Sequence, residues 1–175
     1  TKAYPYSQAL SITTSGGSGT GGISFAIASG GTASGCSLSD STSTATITAT
    51  TVGTCRIQAT KAADSTYDEI TSAAATFIFD KASQSITFTT PSPMTFGGSN
   101  QSVTPTASSS LTVTLTSTTT GICTVAGFVI TAVGSGTCSI TASQAGNTNY
   151  EAATQVVQTF ASKATQTITF TQPTN

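Results

Sequence analysis

Six acidic side chains, five basic ones and no histidine are the whole acid–base inventory of these 175 residues. Without histidine, neither a Ser-His-Asp nor a Cys-His arrangement can be assembled, so no catalytic residue is assigned and the chain does not read as an enzyme. Gly17 to Gly22 spells G-x-G-x-x-G. A dinucleotide site needs that loop to open a helix whose N-terminus holds the pyrophosphate. Here "ISFAIAS" follows, which reads as a strand, so the glycines are expected to form a turn and no cofactor is implied. Asp64, Asp68 and Glu69 surround Tyr67 and offer oxygen ligands of the kind calcium takes. The matching residues further along, Asn147, Glu151 and Ala152, are a weaker set. The simpler reading is a solvated loop, and no metal site is assigned.

The remaining reactive groups are thiols and hydroxyls. Four cysteines in a chain with 6% charged residues suggest an oxidising compartment, and the absence of C-x-x-C and of His argues against a zinc or redox site. Cys36 and Cys55 stand 19 apart, Cys123 and Cys138 15 apart. The 26 Ser and 40 Thr gather in runs such as "STSTATITATT" from Ser41 and "TVTLTSTTT" from Thr112. Thr44, Thr46, Thr112, Thr114, Thr116 and Thr118 are candidate O-glycosylation sites, useful where few charges keep a surface soluble; the alternative is a polar sheet face. Asn100-Gln101-Ser102 fits the N-glycosylation triplet. A net charge of -1 leaves no basic patch for nucleic acid or an anionic bilayer, and no apolar run is long enough to span a membrane.

The elements that must carry these groups are strands. Thr favours strands, and "SITFT", "TATITAT", "FVITAV" and "LTVTLT" alternate with the period of 2 that marks one buried face. Gly134-Ser135-Gly136 and Gly97-Gly98 read as turns. An internal repeat organises them. "GTCRIQATKAADSTYDEI…" matches "GTCSITASQAGNTNYEAA…", with Gly53, Thr54, Cys55, Ile57, Ala59 and Tyr67 falling on Gly136, Thr137, Cys138, Ile140, Ala142 and Tyr150 at an offset of 83. The offset becomes 82 at Lys81 and Lys163. Fold class is therefore all-β: two tandem sandwiches of about seven short strands each, with the aromatics in the cores. Of the three connectivities four cysteines allow, the repeat selects Cys36–Cys55 and Cys123–Cys138, one per module; two free buried thiols per module are the alternative. In the second module "ICTV", "FVITAV" and "TCSIT" are expected to form a meander whose outer strands carry the two Cys.

The ordered set "GTC-x-I-x-A … Y … F … K-A-x-Q-x-I-T-F" resembles the bacterial immunoglobulin-like repeats of large surface, adhesion and pilus-type proteins, and the resemblance covers nearly the whole chain. It implies immunoglobulin-like sandwiches, an extracellular or cell-surface location, and a role as spacer, stalk or fibre unit, with no catalytic residues to carry over.

One segment stands outside the two modules. "KASQSITFTTPSP" from Lys81 opens the second module, and "KATQTITFTQPTN" from Lys163 repeats it after that module is finished. The first module starts at "TKAYPYSQALSI", which aligns with "MTFGGSNQSVTP" and so has no such strand ahead of it. The expected boundaries are 1–80, a sandwich lacking its first strand; 81–162, a complete sandwich; and 163–175, a spare strand. Ile86 lies 17 residues before Val103; with two units placed end to end, Ile168 falls the same distance before Leu10. The expectation is that Thr167, Ile168, Thr169, Phe170 and Thr171 complete the first module of another unit, a head-to-tail homopolymer. One period of a long covalent tandem-repeat adhesin, or a module binding a glycan or host surface, are the alternatives. The absence of Trp and of aromatic or acidic loops converging on a ligand disfavours a specialised binding tip.

Overall fold

A computed structural model describes residues 2–39 and 44–172. Asp40 and the first three residues of the Ser41 run fall outside them, as do the last three of the C-terminal segment. The fold is all-β, and no helix among the described residues is long and apolar enough to cross a membrane. Among the described residues seventeen strands form: β1 Ala3–Pro5, β2 Leu10–Thr13, β3 Ile23–Ala28, β4 Ser37–Leu38, β5 Thr44–Thr48, β6 Gly53–Lys61, β7 Ile70–Thr71, β8 Ala75–Asp80, β9 Ile86–Thr87, β10 Met94–Thr95, β11 Gln101–Ser102, β12 Thr106–Ala107, β13 Thr114–Ser117, β14 Cys123–Ala126, β15 Val129–Ala132, β16 Gly136–Ser143 and β17 Val156–Lys163. They divide into two compact units, one of residues 1–83 with 147–151, the other of 84–146 with 152–175.

In unit one, β1-β8-β6-β3, with β7 on β6, makes one sheet and β2-β5-β4 the other. Their inner faces meet in a core of Leu10, Ile12, Ala45, Ile47 and Ala49 from one side and Phe25, Cys55, Ile57 and Phe79 from the other. Alternation produces this directly: along β5 every second residue is buried, because successive side chains of a strand point to opposite faces. Unit two repeats the plan with β10-β17-β16-β13 and β11-β15-β14, and adds a two-stranded sheet, β12-β9. Ile86, Phe88, Met94, Leu115, Ile130, Ile140 and Phe160 fill its core.

Both disulfides are within modules, Cys36–Cys55 and Cys123–Cys138. The expected meander is corrected. β14 does pair with β15, but β15 turns its other edge to β11, and β16 lies between β13 and β17 in the opposite sheet. The bond therefore ties the two sheets together across the core rather than two strands of one sheet. Alternation says which face of a strand is buried, not which sheet the strand joins. The chain crosses at Gly134–Gly136 and, in the first module, just ahead of Gly53. Gly53 and Gly136 have φ of +134° and +141°, and a Cβ at Gly53 would lie 2.6 Å from the Ala33 nitrogen; glycine fits both demands.

The aromatics are not all core. Tyr67 and Phe96 are half exposed, and Phe128 is exposed to a lesser degree. Tyr67 ends a turn whose first residue, Asp64, accepts hydrogen bonds from the Thr66 and Tyr67 amides, which holds the ring at the surface.

Candidate strand interface

Register makes the two units comparable residue by residue. Cys55 faces Phe77 and Cys138 faces Phe160; Phe25 faces Ala59 and Leu115 faces Ala142; Leu10 faces Ile47 and Gln101 faces Ile130. On this frame β1, β2, β3, β4, β5, β6 and β8 have counterparts in β10, β11, β13, β14, β15, β16 and β17. Among the described residues, β9 and β12 have none in unit one. The frame also corrects the alignment: Ile12, not Leu10, stands where Val103 stands, so the spacing across an end-to-end junction is two residues longer than 17.

In unit two the strand QSITF is built into the sandwich. Thr87 and Ile86 pair antiparallel with Thr106 and Ala107. The Ser108 amide donates to the Ser85 carbonyl at 2.9 Å, and the Ser85 amide to Ser108 Oγ at 3.0 Å. Gln158 on β17 donates through Nε2 to the Phe88 carbonyl at 2.7 Å. Ile86 is 9% exposed and Phe88 5%. Backbone and side chains are thus satisfied together.

Its copy after β17 has none of this. Residues 164–172 belong to no strand and all are exposed, Ile168 at 92% and Phe170 at 91%. Burying a large apolar side chain is worth about 1.5–3 kcal/mol, so two bare ones in an alternating, uncharged segment make a surface suited to pairing.

Unit one carries two neighbouring pockets. Between its sheets lies a cavity of about 110 Å³, lined by Ile12, Phe25, Ile57, Ala75 and Phe77 among others. A wider open groove of about 290 Å³ shares Thr14, Ala59 and Ser72 with it and reaches Gly16, Gly17 and Ile70. Phe25 and Ile57 correspond to Leu115 and Ile140, members of the cluster that covers Ile86 and Phe88 in unit two. The Thr14 hydroxyl is buried in this region with no hydrogen-bond partner among the described residues, an uncommon state for a buried polar atom.

Asp64 spends its carboxylate on the amides of Thr66, Thr20 and Tyr67, which hold its pKa down to about 2. Asn147, its counterpart, accepts from the amides of Asn149 and Tyr150. No group of three or more potential metal-ligating side chains occurs among the described residues. Gly17–Gly22 lies in the loop before β3, a strand. Thr44, Thr112, Thr114, Thr116 and Thr118 are exposed, Thr46 half-buried, and Asn100 exposed just ahead of β11. No motif marks the groove in the sequence, since its lining joins residues far apart in the chain, Thr14, Gly16 and Gly17 with Ala59, Lys61 and Ser72.

No protein-family model and no curated protein matches the chain. Among solved structures, the D0-D1 domain of Intimin aligns over 89% of this chain and 93% of its own, at 16% identity and a TM-score of 0.30. Overlap at that level carries no functional weight, and the architecture rests on the strand pairing above.

Proposed function

We propose that the chain is a structural unit of an extracellular bacterial filament or stalk, joined head to tail by strand complementation: residues 167–171 of one copy complete unit one of the next. The observation that carries this reading is one motif in two states. Ile86 and Phe88 are buried, while Ile168 and Phe170, in the same sequence context, are bare. An added strand would satisfy the exposed edge and the apolar groove at once. A head-to-tail contact of this kind is heterologous and need not close, so repetition gives a filament. The two disulfides suit an oxidising, extracellular setting. Exposed Thr rows and Asn100 would carry covalent glycans. No cofactor, nucleic acid or catalytic step enters this reading.

The test is the double variant Ile168→Asp and Phe170→Asp. Each carboxylate forced into an apolar site should cost several kcal/mol, leaving monomers by light scattering and electron microscopy. Filaments like those of the parent would refute the proposal.

A second reading, one period of a long covalent tandem-repeat surface adhesin, is favoured by β9 itself, which reaches its sandwich through residues 81–85 directly after β8. Boiled, reduced native material separates the two on a denaturing gel: a band near the chain's 17.3 kDa, or modestly above it if glycosylated, means separate subunits, and a single very large band means one covalent chain.

A further inference from the structure

Resting on the strand-complementation reading, we infer the acceptor site, its register and the hinge that opens it. The acceptor is the edge formed by residues 14–17 of unit one, and the occupant is the segment 166–171 of a second copy. β2 and β11 share a frame in which Ile12 corresponds to Val103. Continued three or four residues, that frame sets Ser15 on Thr106 and Gly16 on Ala107. Thr106 and Ala107 are the residues that pair with Thr87 and Ile86. The incoming strand therefore runs antiparallel with Thr169 opposite Ser15 and Ile168 opposite Gly16, and the Gly17 amide meets the Thr167 carbonyl as Ser108 meets Ser85. Ile168 and Phe170 then turn inward over Phe25, Ile57 and Ala59.

The edge is not strand-like as it stands. Gly16 and Gly17 have φ of +88° and +86°, a conformation that splays the chain away from β-pairing and that glycine adopts without penalty. Ala107, at the place of Gly16, is extended and buried. Strand capture thus requires the Gly16–Gly17 backbone to swing to negative φ. Beyond it, the Thr20 amide donates to the Asp64 carboxylate, which fixes the far end of the glycine segment so that the swing is confined to residues 15–19. Glycine here keeps the first module open until a strand arrives; alanine would bias it toward the paired state. A Cβ at Gly16 meets nothing within 4 Å, so Gly16→Ala adds no clash, only the cost of a side chain at positive φ in the open form.

Two experiments decide. In the full chain, Ser15→Cys with Thr169→Cys should give an inter-copy disulfide between the introduced thiols on oxidation, seen by non-reducing peptide mapping, whereas Thr13→Cys with Thr169→Cys should not. Preferential linkage through position 13, in material that still assembles, overturns the register but leaves complementation standing; loss of assembly from the parent chain is what sinks the underlying reading. Separately, the full-length Ile168→Asp, Phe170→Asp variant offers an open acceptor without a competing donor, and a synthetic KATQTITFTQ peptide serves as probe. Adding Gly16→Ala should tighten peptide binding about fivefold, the cost of a non-glycine residue at positive φ converted at tenfold per ~1.4 kcal/mol. Unchanged or weaker binding overturns the hinge, and a peptide that binds neither protein overturns the site.

Discussion

Truncating the same residue of the repeated motif should have opposite consequences in its two copies. Phe88 is 5% exposed, in the cluster with Ile86, Leu115 and Ile140, with its carbonyl held by Gln158. Phe88→Ala removes a buried ring and leaves a cavity, which costs about 3–5 kcal/mol, a large share of what a domain of this size has to spare. Phe170 is 91% exposed, so Phe170→Ala in dilute, monomeric protein should change stability by no more than about 0.5 kcal/mol. A chain of two compact units need not unfold in one step, so the readout should be local: hydrogen exchange of β16 amides, which lie in unit two. Phe88→Ala should speed their exchange by two orders of magnitude or more, since each ~1.4 kcal/mol is tenfold, while Phe170→Ala leaves it unchanged. In concentrated protein the pattern reverses, and Phe170→Ala should suppress assembly. Equal destabilisation of the dilute protein by both variants would refute the contrast between a seated and a bare strand.

Replacing Cys123 and Cys138 together by Ala should destabilise unit two by about 3 kcal/mol, the loop-closure value for a 15-residue separation, lowering its melting temperature by more than 10 °C on the scale for small domains; a shift below a few degrees would mean the inter-sheet bond is dispensable. Asp64, held at about 2 from an ordinary 3.8 by backbone amides, favours the folded loop with a contribution fully present above pH 4 and lost as pH falls toward 2. Loop exchange in residues 62–69 should therefore quicken over that window, and Asp64→Asn, the amide that the second repeat uses at Asn147, should flatten the dependence; an unaltered profile in the variant contradicts the assignment. Native material should exceed 17.3 kDa by whole sugar masses on Thr112, Thr114, Thr116, Thr118, Thr44, Thr46 or Asn100; the bare mass rules out glycans on all of them.

Much of the fold is legible in the sequence. Period-2 alternation located β5, β13 and β15, and the repeated Gly-Thr-Cys positions fixed one disulfide per module. What the pattern could not carry was sheet membership. The strands from Cys123, Val129 and Gly136 are consecutive and alternate alike, yet the third joins the other sheet, because the choice is made by a glycine crossing rather than by the strands' own residues. Tyr67 looked like core by its repeat equivalence, but a turn held by Asp64 keeps it at the surface. The two-residue slip between Leu10 and Ile12 arose because both are buried positions of the same parity; only the pairing with β5 distinguishes them. The second copy of the motif, from Lys163, was visible as a repeat. The proposed acceptor was not, since a groove is made by residues distant in sequence, and the glycines at its lip resembled a loop with no task.

Hydrogen exchange at residues 166–171 in assembled native material, set beside the same amides in dilute protein, tests the proposed complementation most directly. The prediction is protection in the assembly comparable to that of Gln84–Phe88, and none in the monomer, whether the units are separate chains or one covalent run. Exchange in the assembly as fast as in the monomer would contradict it, because the bare strand would then have found no sandwich to complete.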